Sequence, residues 1–237
     1  MKMNTTRWRL RSSAIAFFAC TLVSGTSLFA QDYPLAAGTR WTYHLRKEVG
    51  PGAHFVAADA PVAKGNVLET TLIVHVAGTE QIDGKTYNRI ESQRGSKLFN
   101  VDWLALTPEG LMHAKSVDYT EVSEGSETEL NPPARLLSPT LAPQENWNWQ
   151  DSQSLQSSRT TVLGREEARV PAGTYRTIPV RTQITIPTEG QPLDVTVTQW
   201  FVPGIGNVQR EVRMEIAGHL LMHNTETLEK FERAPKR

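Results

Sequence analysis

Apolar and polar residues alternate along most of this chain. "RWTYHLRK" places Trp41, Tyr43 and Leu45 on one face and polar side chains on the other, the mark of a half-buried strand. "NVLETTLIVHVAG" is a long run rich in β-branched residues, and "KTYNRIESQ" follows the turn "IDGK". "SKLFNVDWLAL" and "GLMHAKSVDYTEV" flank "TPEG". The same pattern returns in "SSRTTVLGREEARV", "GTYRTIPVRTQITI", "LDVTVTQWFV", "NVQREVRMEI" and "HLLMHNTETLEKF". Together these predict about ten strands joined by Gly, Pro or Asp-Gly turns. Helical periodicity is absent, and 227–233 reads as the end of the last strand. Two stretches break the pattern. Residues 50–65 are rich in Ala, Pro and Gly, while 121–143 are acidic and then proline-rich. The second predicts a linker or a long loop crossing one sheet.

The pattern also repeats. Aligning "YPLAAGTRWTYHL" with "SPTLAPQENWNWQ" brings Trp41 onto Trp147 and Tyr43 onto Trp149. "VAGTEQIDGKTYNRI" then faces "VLGREEARVPAGTYRTI", matching Gly78 with Gly164, Glu80 with Glu166 and Tyr87 with Tyr175. "VDWLALTPEGLMH" faces "TQWFVPGIGNVQ", matching Trp103 with Trp200 and Gly110 with Gly206. Three matches in one order point to duplication. The expected fold is therefore all-β and antiparallel: one domain over 31–237, with halves at about 33–120 and 139–230. Two related meanders would form a curved sheet or an open barrel. The loop "VPGIG" is predicted to be a structural corner rather than a binding loop. Glycine supplies positive φ and proline ends ladder pairing.

The ends change the picture. Lys2, Arg7, Arg9 and Arg11 precede a short apolar core, Ala14 to Val23, and Gly25, Ser27 and Ala30 are small. This is the layout of a secretory signal peptide over 1–30, cut after Ala30. The apolar run is too short to span a bilayer, which takes about 20 residues. Cys20 reads as an ordinary residue of that core, with a lipid-accepting cysteine as the alternative. Without the signal, 207 residues remain, with 21 Lys and Arg against 25 Asp and Glu and no cysteine. That excludes disulfides, thiolate catalysis and cysteine-based zinc sites. No basic cluster suggests nucleic acid as a partner, and no second stretch is long enough for a membrane helix. The expected location is the bacterial periplasm or the exterior.

"YPLAAGTRWTYHL", "VLGREEARVPAGTYRTIPV" and "QWFVPGIGNVQREV" resemble the motifs "PLxxGxxWxY", "GxExVxVPAGxFxxxxV" and "WYAPGVGxVK" of a group of bacterial exported proteins labelled TapB-like. The resemblance covers most of the mature chain. Phe201 stands where that group has Tyr, and Gln209-Arg210 replaces its Val-Lys-like continuation. The resemblance implies a β-rich, barrel-like envelope protein, and it implies no activity and no catalytic residues.

Candidate chemistry is sparse. His219 and His223 lie four apart on a predicted strand, about 13 Å from each other, and the glutamate of a zinc-protease motif is missing. No metal site or cofactor is expected. Glu166 and Glu167 are neighbours on a strand and point to opposite faces, a poor acid/base pair. Neither a "GxSxG" elbow nor a phosphate loop occurs, so no catalytic residue is assigned. The tryptophans read mainly as core anchors. Trp147 and Trp149 share one face between polar residues and are the candidate ligand-binding pair. The expected function is non-enzymatic binding of an apolar or amphiphilic molecule, lipid-like or carbohydrate, within the sheet. The alternatives are an adaptor engaging an envelope protein partner and, last, a carboxylate-dependent hydrolase.

Overall fold

A computed structural model describes residues 32–55, 59, 63–120 and 124–235. The predicted signal peptide, its cut after Ala30 and Cys20 lie outside them. The strands are β1 (Arg40–Val49), β2 (Val67–Ile82), β3 (Lys85–Arg94), β4 (Lys97–Thr107), β5 (Gly110–Asp118), β6 (Ser126–Leu137), β7 (Asn146–Gln150), β8 (Ser157–Val162), β9 (Glu166–Val170), β10 (Gly173–Ile186), β11 (Leu193–Val202), β12 (Gly206–Ile216) and β13 (His219–Glu232). All pairings are antiparallel, as expected.

Twelve strands form one hydrogen-bonded order, β6-β5-β4-β3-β2-β1-β13-β12-β11-β10-β8-β7, and β9 pairs with β10 beside that path. The first half walks away from β1 by consecutive hairpins, and the second half returns so that β13 docks on β1. The end strands β6 and β7 then face each other across a seam, giving a nearly closed barrel. Few ladder bonds cross it. Instead Trp147 Nε1 donates to the Arg135 carbonyl at 2.8 Å, and Trp149 Nε1 donates to the Pro132 carbonyl at 2.7 Å. The Asn131 amide donates to Asp151 Oδ2 at 3.0 Å, and the Ser152 amide donates to the Asn131 carbonyl at 2.8 Å.

Alternation sets the interior. In β1, Trp41, Tyr43 and Leu45 are buried, while the opposite face carries Arg40, Thr42, His44, Arg46 and Glu48. The main core joins both halves through Trp41, Leu72, Leu104, Leu111, Leu137, Trp147, Ile178, Phe201 and Leu228. Asp83-Gly84 turns β2 into β3 with φ of 51° and 73°, the conformation that an Asp-Gly hairpin adopts.

β10 pairs with β9 and β8 in succession, just as β3 pairs with the single strand β2. Trp103 Nε1 donates to Glu80 Oε2 at 2.7 Å, and Trp200 Nε1 donates to Glu166 Oε1 at 2.5 Å. Gly110 and Gly206 each open a strand at positive φ, 122° and 92°. The corner Pro203 to Gly206 is clamped by backbone: Trp41 Nε1 donates to the Ile205 carbonyl at 2.6 Å, and the Gly204 amide donates to the Asp32 carbonyl at 3.1 Å.

One expectation fails. Residues 121–143 are not a linker, because most of the stretch is β6, paired with β5. Its pairing lapses between Glu129 and Ala134, where Pro132 and Pro133 sit. An edge strand tolerates prolines at such a gap because no ladder amide is needed there. The irregular character of 50–65 holds among its described residues, none of which lies in a named strand. Its Asp59 is fully buried and forms ion pairs with Lys47 Nζ at 2.6 Å and with the Arg94 guanidinium.

Candidate functional site

The barrel is not filled. A cavity of about 480 Å³ lies between its walls, bordered by inward residues from every strand except β9. Apolar side chains line it from around the barrel, among them Leu72, Ile90, Leu104, Leu130, Ile184 and Phe201. A polar stretch of wall gathers Tyr33, Tyr43, Asp102, His113, Arg210 and Glu226.

Bulges assemble this polar wall. In β4 and β5 the register shifts between Trp103 and Leu104, so that Lys115 pairs with Trp103 and His113 with Leu104. The surplus residue, Ala114, inverts the alternation. His113 and Ser116, three apart, both line the cavity, while Lys115 lies on the outer side with its ammonium 5.3 Å from the Trp103 ring. β12 uses the same device. A shift opposite Trp200 and Phe201 leaves Val208 unpaired in the register, and Asn207 and Arg210 both line the cavity. A bulge re-aims side chains in this way by placing two residues opposite one.

The charges inside are paired. His113 Nε2 lies 3.1 Å from Asp102 Oδ1 and 2.9 Å from the Lys115 carbonyl. Both neighbours are acceptors, so Nε2 carries the ring proton. Burial pushes the Asp102 carboxyl up, but hydrogen bonds from His113 and Asn100 and the charge of Arg210 hold it below its ordinary 3.8. Arg210 Nη1 donates to Glu226 Oε1 at 3.3 Å. Tyr43 donates to the Asn207 carbonyl at 2.8 Å. Burial, reinforced by Asp102, raises the Tyr33 phenol to about 12, and burial raises Tyr43 well above 10.0. Both phenols therefore stay protonated and able to donate at neutral pH.

Two polar atoms at this wall have no partner among the described residues: Asn207 Oδ1 and Arg210 Nε. Asn207 is 7% exposed. A buried polar group without a partner costs about 1–3 kcal/mol, so this wall is incomplete as it stands.

The two tryptophans singled out in sequence part company. Trp149 borders the cavity and also an open groove of about 590 Å³ along β7, β8 and β10. It stands at the seam between them. Trp147 belongs to the core, under the Arg135 guanidinium at 4.6 Å from its ring, and does not line the cavity. Glu166 is taken by Trp200, and Glu167 by Arg169 at 3.1 Å. His223 pairs with Glu211 at 2.7 Å. Among the described residues, no group of three His, Asp or Glu is placed to hold a metal ion, and no helix is long and apolar enough to cross a membrane.

No family model matches the chain, so the likeness to TapB-like proteins rests on the quoted motifs. No curated protein matches its sequence. Two solved structures are distantly similar. One, from Bacteroides fragilis, is described as a candidate exported protein with a YmcC-like fold; it is 12% identical with a TM-score of 0.41, over 84% of this chain and 98% of that one. The other, described as a candidate lipoprotein from Parabacteroides distasonis, is 15% identical with a TM-score of 0.43, over 85% of this chain and 98% of that one.

Proposed function

We propose that this is an exported, non-enzymatic envelope protein that binds an amphiphilic small molecule inside its barrel. The observation behind this reading is the cavity of about 480 Å³, lined by apolar side chains and by a small set of polar and charged ones. Ligand sites span about 300–1,000 Å³ and combine apolar lining with a few placed polar groups. Protein interiors are otherwise close-packed, with few voids larger than a water. A purely structural role leaves such a void unexplained.

Hydrolysis fits less well. Asp102 and Glu226 both face inward, as a glycosidase needs, but a general acid must be held protonated near neutral pH. Asp102 is shifted the opposite way, and Glu226 is engaged by Arg210.

The reading is tested with an uncharged, environment-sensitive fluorescent probe. Saturable one-to-one enhancement is expected, displaced by a single-chain amphiphile and lost in Ser92→Trp, which fills the cavity from β3. Absence of enhancement, or enhancement that survives Ser92→Trp, contradicts it.

A further inference from the structure

The cavity chemistry narrows the class of ligand, and this step rests on the binding function proposed above. Four side chains of fixed charge line the cavity: Asp102, Glu226, Arg135 and Arg210. Two are carboxylates and two are guanidinium groups, so they balance. Three of the four already have protein partners. Glu226 and Arg210 bond each other, and Asp102 accepts from His113 and from Asn100 Nδ2 at 2.7 Å. The Arg135 guanidinium lies over Trp147.

What the wall leaves open is uncharged in balance. Among the described residues, Asn207 Oδ1 is a buried acceptor without a partner and Arg210 Nε–H a buried donor without a partner, and the Tyr33 phenol at the same wall stays protonated. A carboxylate head would gain the Arg210 Nε–H but be repelled by Asn207 Oδ1, Asp102 and Glu226. An ammonium head would gain Asn207 Oδ1 and the carboxylates but be repelled by the Arg210 guanidinium. At this wall the fixed charges are already paired, Arg210 with Glu226 and Asp102 with His113 and Asn100, so an ion entering there sheds its water for partners that are largely neutralised, which is costly. Arg135, on β6, is the lining cation without a carboxylate beside it among the described residues. A head that both donates and accepts, a hydroxyl or an amide, satisfies both atoms when the two cavity-lining side chains turn toward it.

Size narrows it further. Water occupies about 30 Å³ in the liquid, so the cavity holds about sixteen units of that size. That suits one acyl chain with a small head. We infer that the cavity takes a single-chain amphiphile with a neutral hydroxyl or amide head, which sits against Asn207 and Arg210.

The test titrates the whole mature protein with three amphiphiles of one chain length below their micelle concentrations: a monoacylglycerol, the fatty-acid anion and the alkylammonium ion. Calorimetry should show the monoacylglycerol binding about tenfold or more tighter than either ion, about the worth of one well-placed hydrogen bond. Asn207→Ala should lower its affinity about tenfold, while the fatty-acid anion binds no more weakly than before. The Tyr43 bond survives that change because it uses the Asn207 backbone. Asn207→Asp, of the same shape, should reverse the order in favour of the ammonium ion. An ionic head that binds as tightly as the neutral one in the native protein overturns this inference while leaving the binding function standing. If the probe and all three amphiphiles fail to bind, the binding function itself falls, and this inference with it.

Discussion

Gly110→Ala probes how the barrel is held together. Gly110 opens β5 at φ 122°, a region that residues with a Cβ rarely enter. An added Cβ would lie 1.9 Å from the Leu137 carbonyl oxygen and 3.0 Å from its carbon. That obstacle is the backbone of β6, whose Leu137 pairs with Leu111, and it cannot swing aside as a side chain can. The backbone conformation costs about 1–3 kcal/mol, and displacing β6 adds about 1–3 kcal/mol by analogy with overpacking. A total near 4 kcal/mol is a large part of a stability of about 5–15 kcal/mol. At about 2–4 °C per kcal/mol for a chain of this size, Tm should fall by about 8–16 °C. Gly206→Ala meets the conformational cost but only a ring atom of Tyr33 at 3.3 Å, so about half that fall is expected. Gly78→Ala meets nothing within 4 Å and has no positive φ, and should be neutral or stabilising by about 0.4–1 kcal/mol. Thermal melts of the three variants decide the matter. A Gly110→Ala protein that melts with the wild type, or a Gly78→Ala protein that falls as far, would refute the reasoning.

Asp59→Asn leaves Lys47 and Arg94 without their buried carboxylate, and the urea midpoint should report a loss of about 3–5 kcal/mol; an unchanged midpoint argues against the triad. Trp103→Phe and Trp200→Phe each remove the indole donor to a glutamate, and each should cost about 0.5–1.5 kcal/mol by urea unfolding; a loss in only one of them argues against a shared role in the two halves. At the seam, backbone amides of Asn131, Ser154 and Gln153 hold the Asp151 carboxyl at about 2, below its ordinary 3.8. Its contribution is complete above pH 3.8 and is lost as pH falls toward 2, so the stability gap between wild type and Asp151→Asn should close across that window. A gap independent of pH contradicts this.

Much of the fold was legible because period-two alternation is a direct physical record of a two-faced sheet. The strands around Trp41 followed from it, and the Asp83-Gly84 turn from the Asp-Gly signal between two such runs. β6 was hidden because its exposed edge carries acidic residues and prolines, which mimic a loop. The polar wall was hidden for a subtler reason. Strict alternation assigns His113 and Ser116, or Asn207 and Arg210, to opposite faces, and only the bulges at Ala114 and Val208 turn both members of each pair inward. Nothing local in the sequence announces those bulges, because the long-range register of neighbouring strands sets them. The spacing of "NWNWQ" put Trp147 and Trp149 on one face but could not show that both donate to carbonyls of the unrecognised strand β6, Trp147 from the core and Trp149 from the cavity rim.

The central claim is that the barrel interior is a ligand site. Native mass spectrometry of the protein isolated from its own cell envelope tests it most directly. The account predicts a single adduct of single-chain size, released on denaturation and missing from Ser92→Trp prepared in the same way. A protein that carries no adduct from that source, or one whose adduct persists in Ser92→Trp, would contradict it.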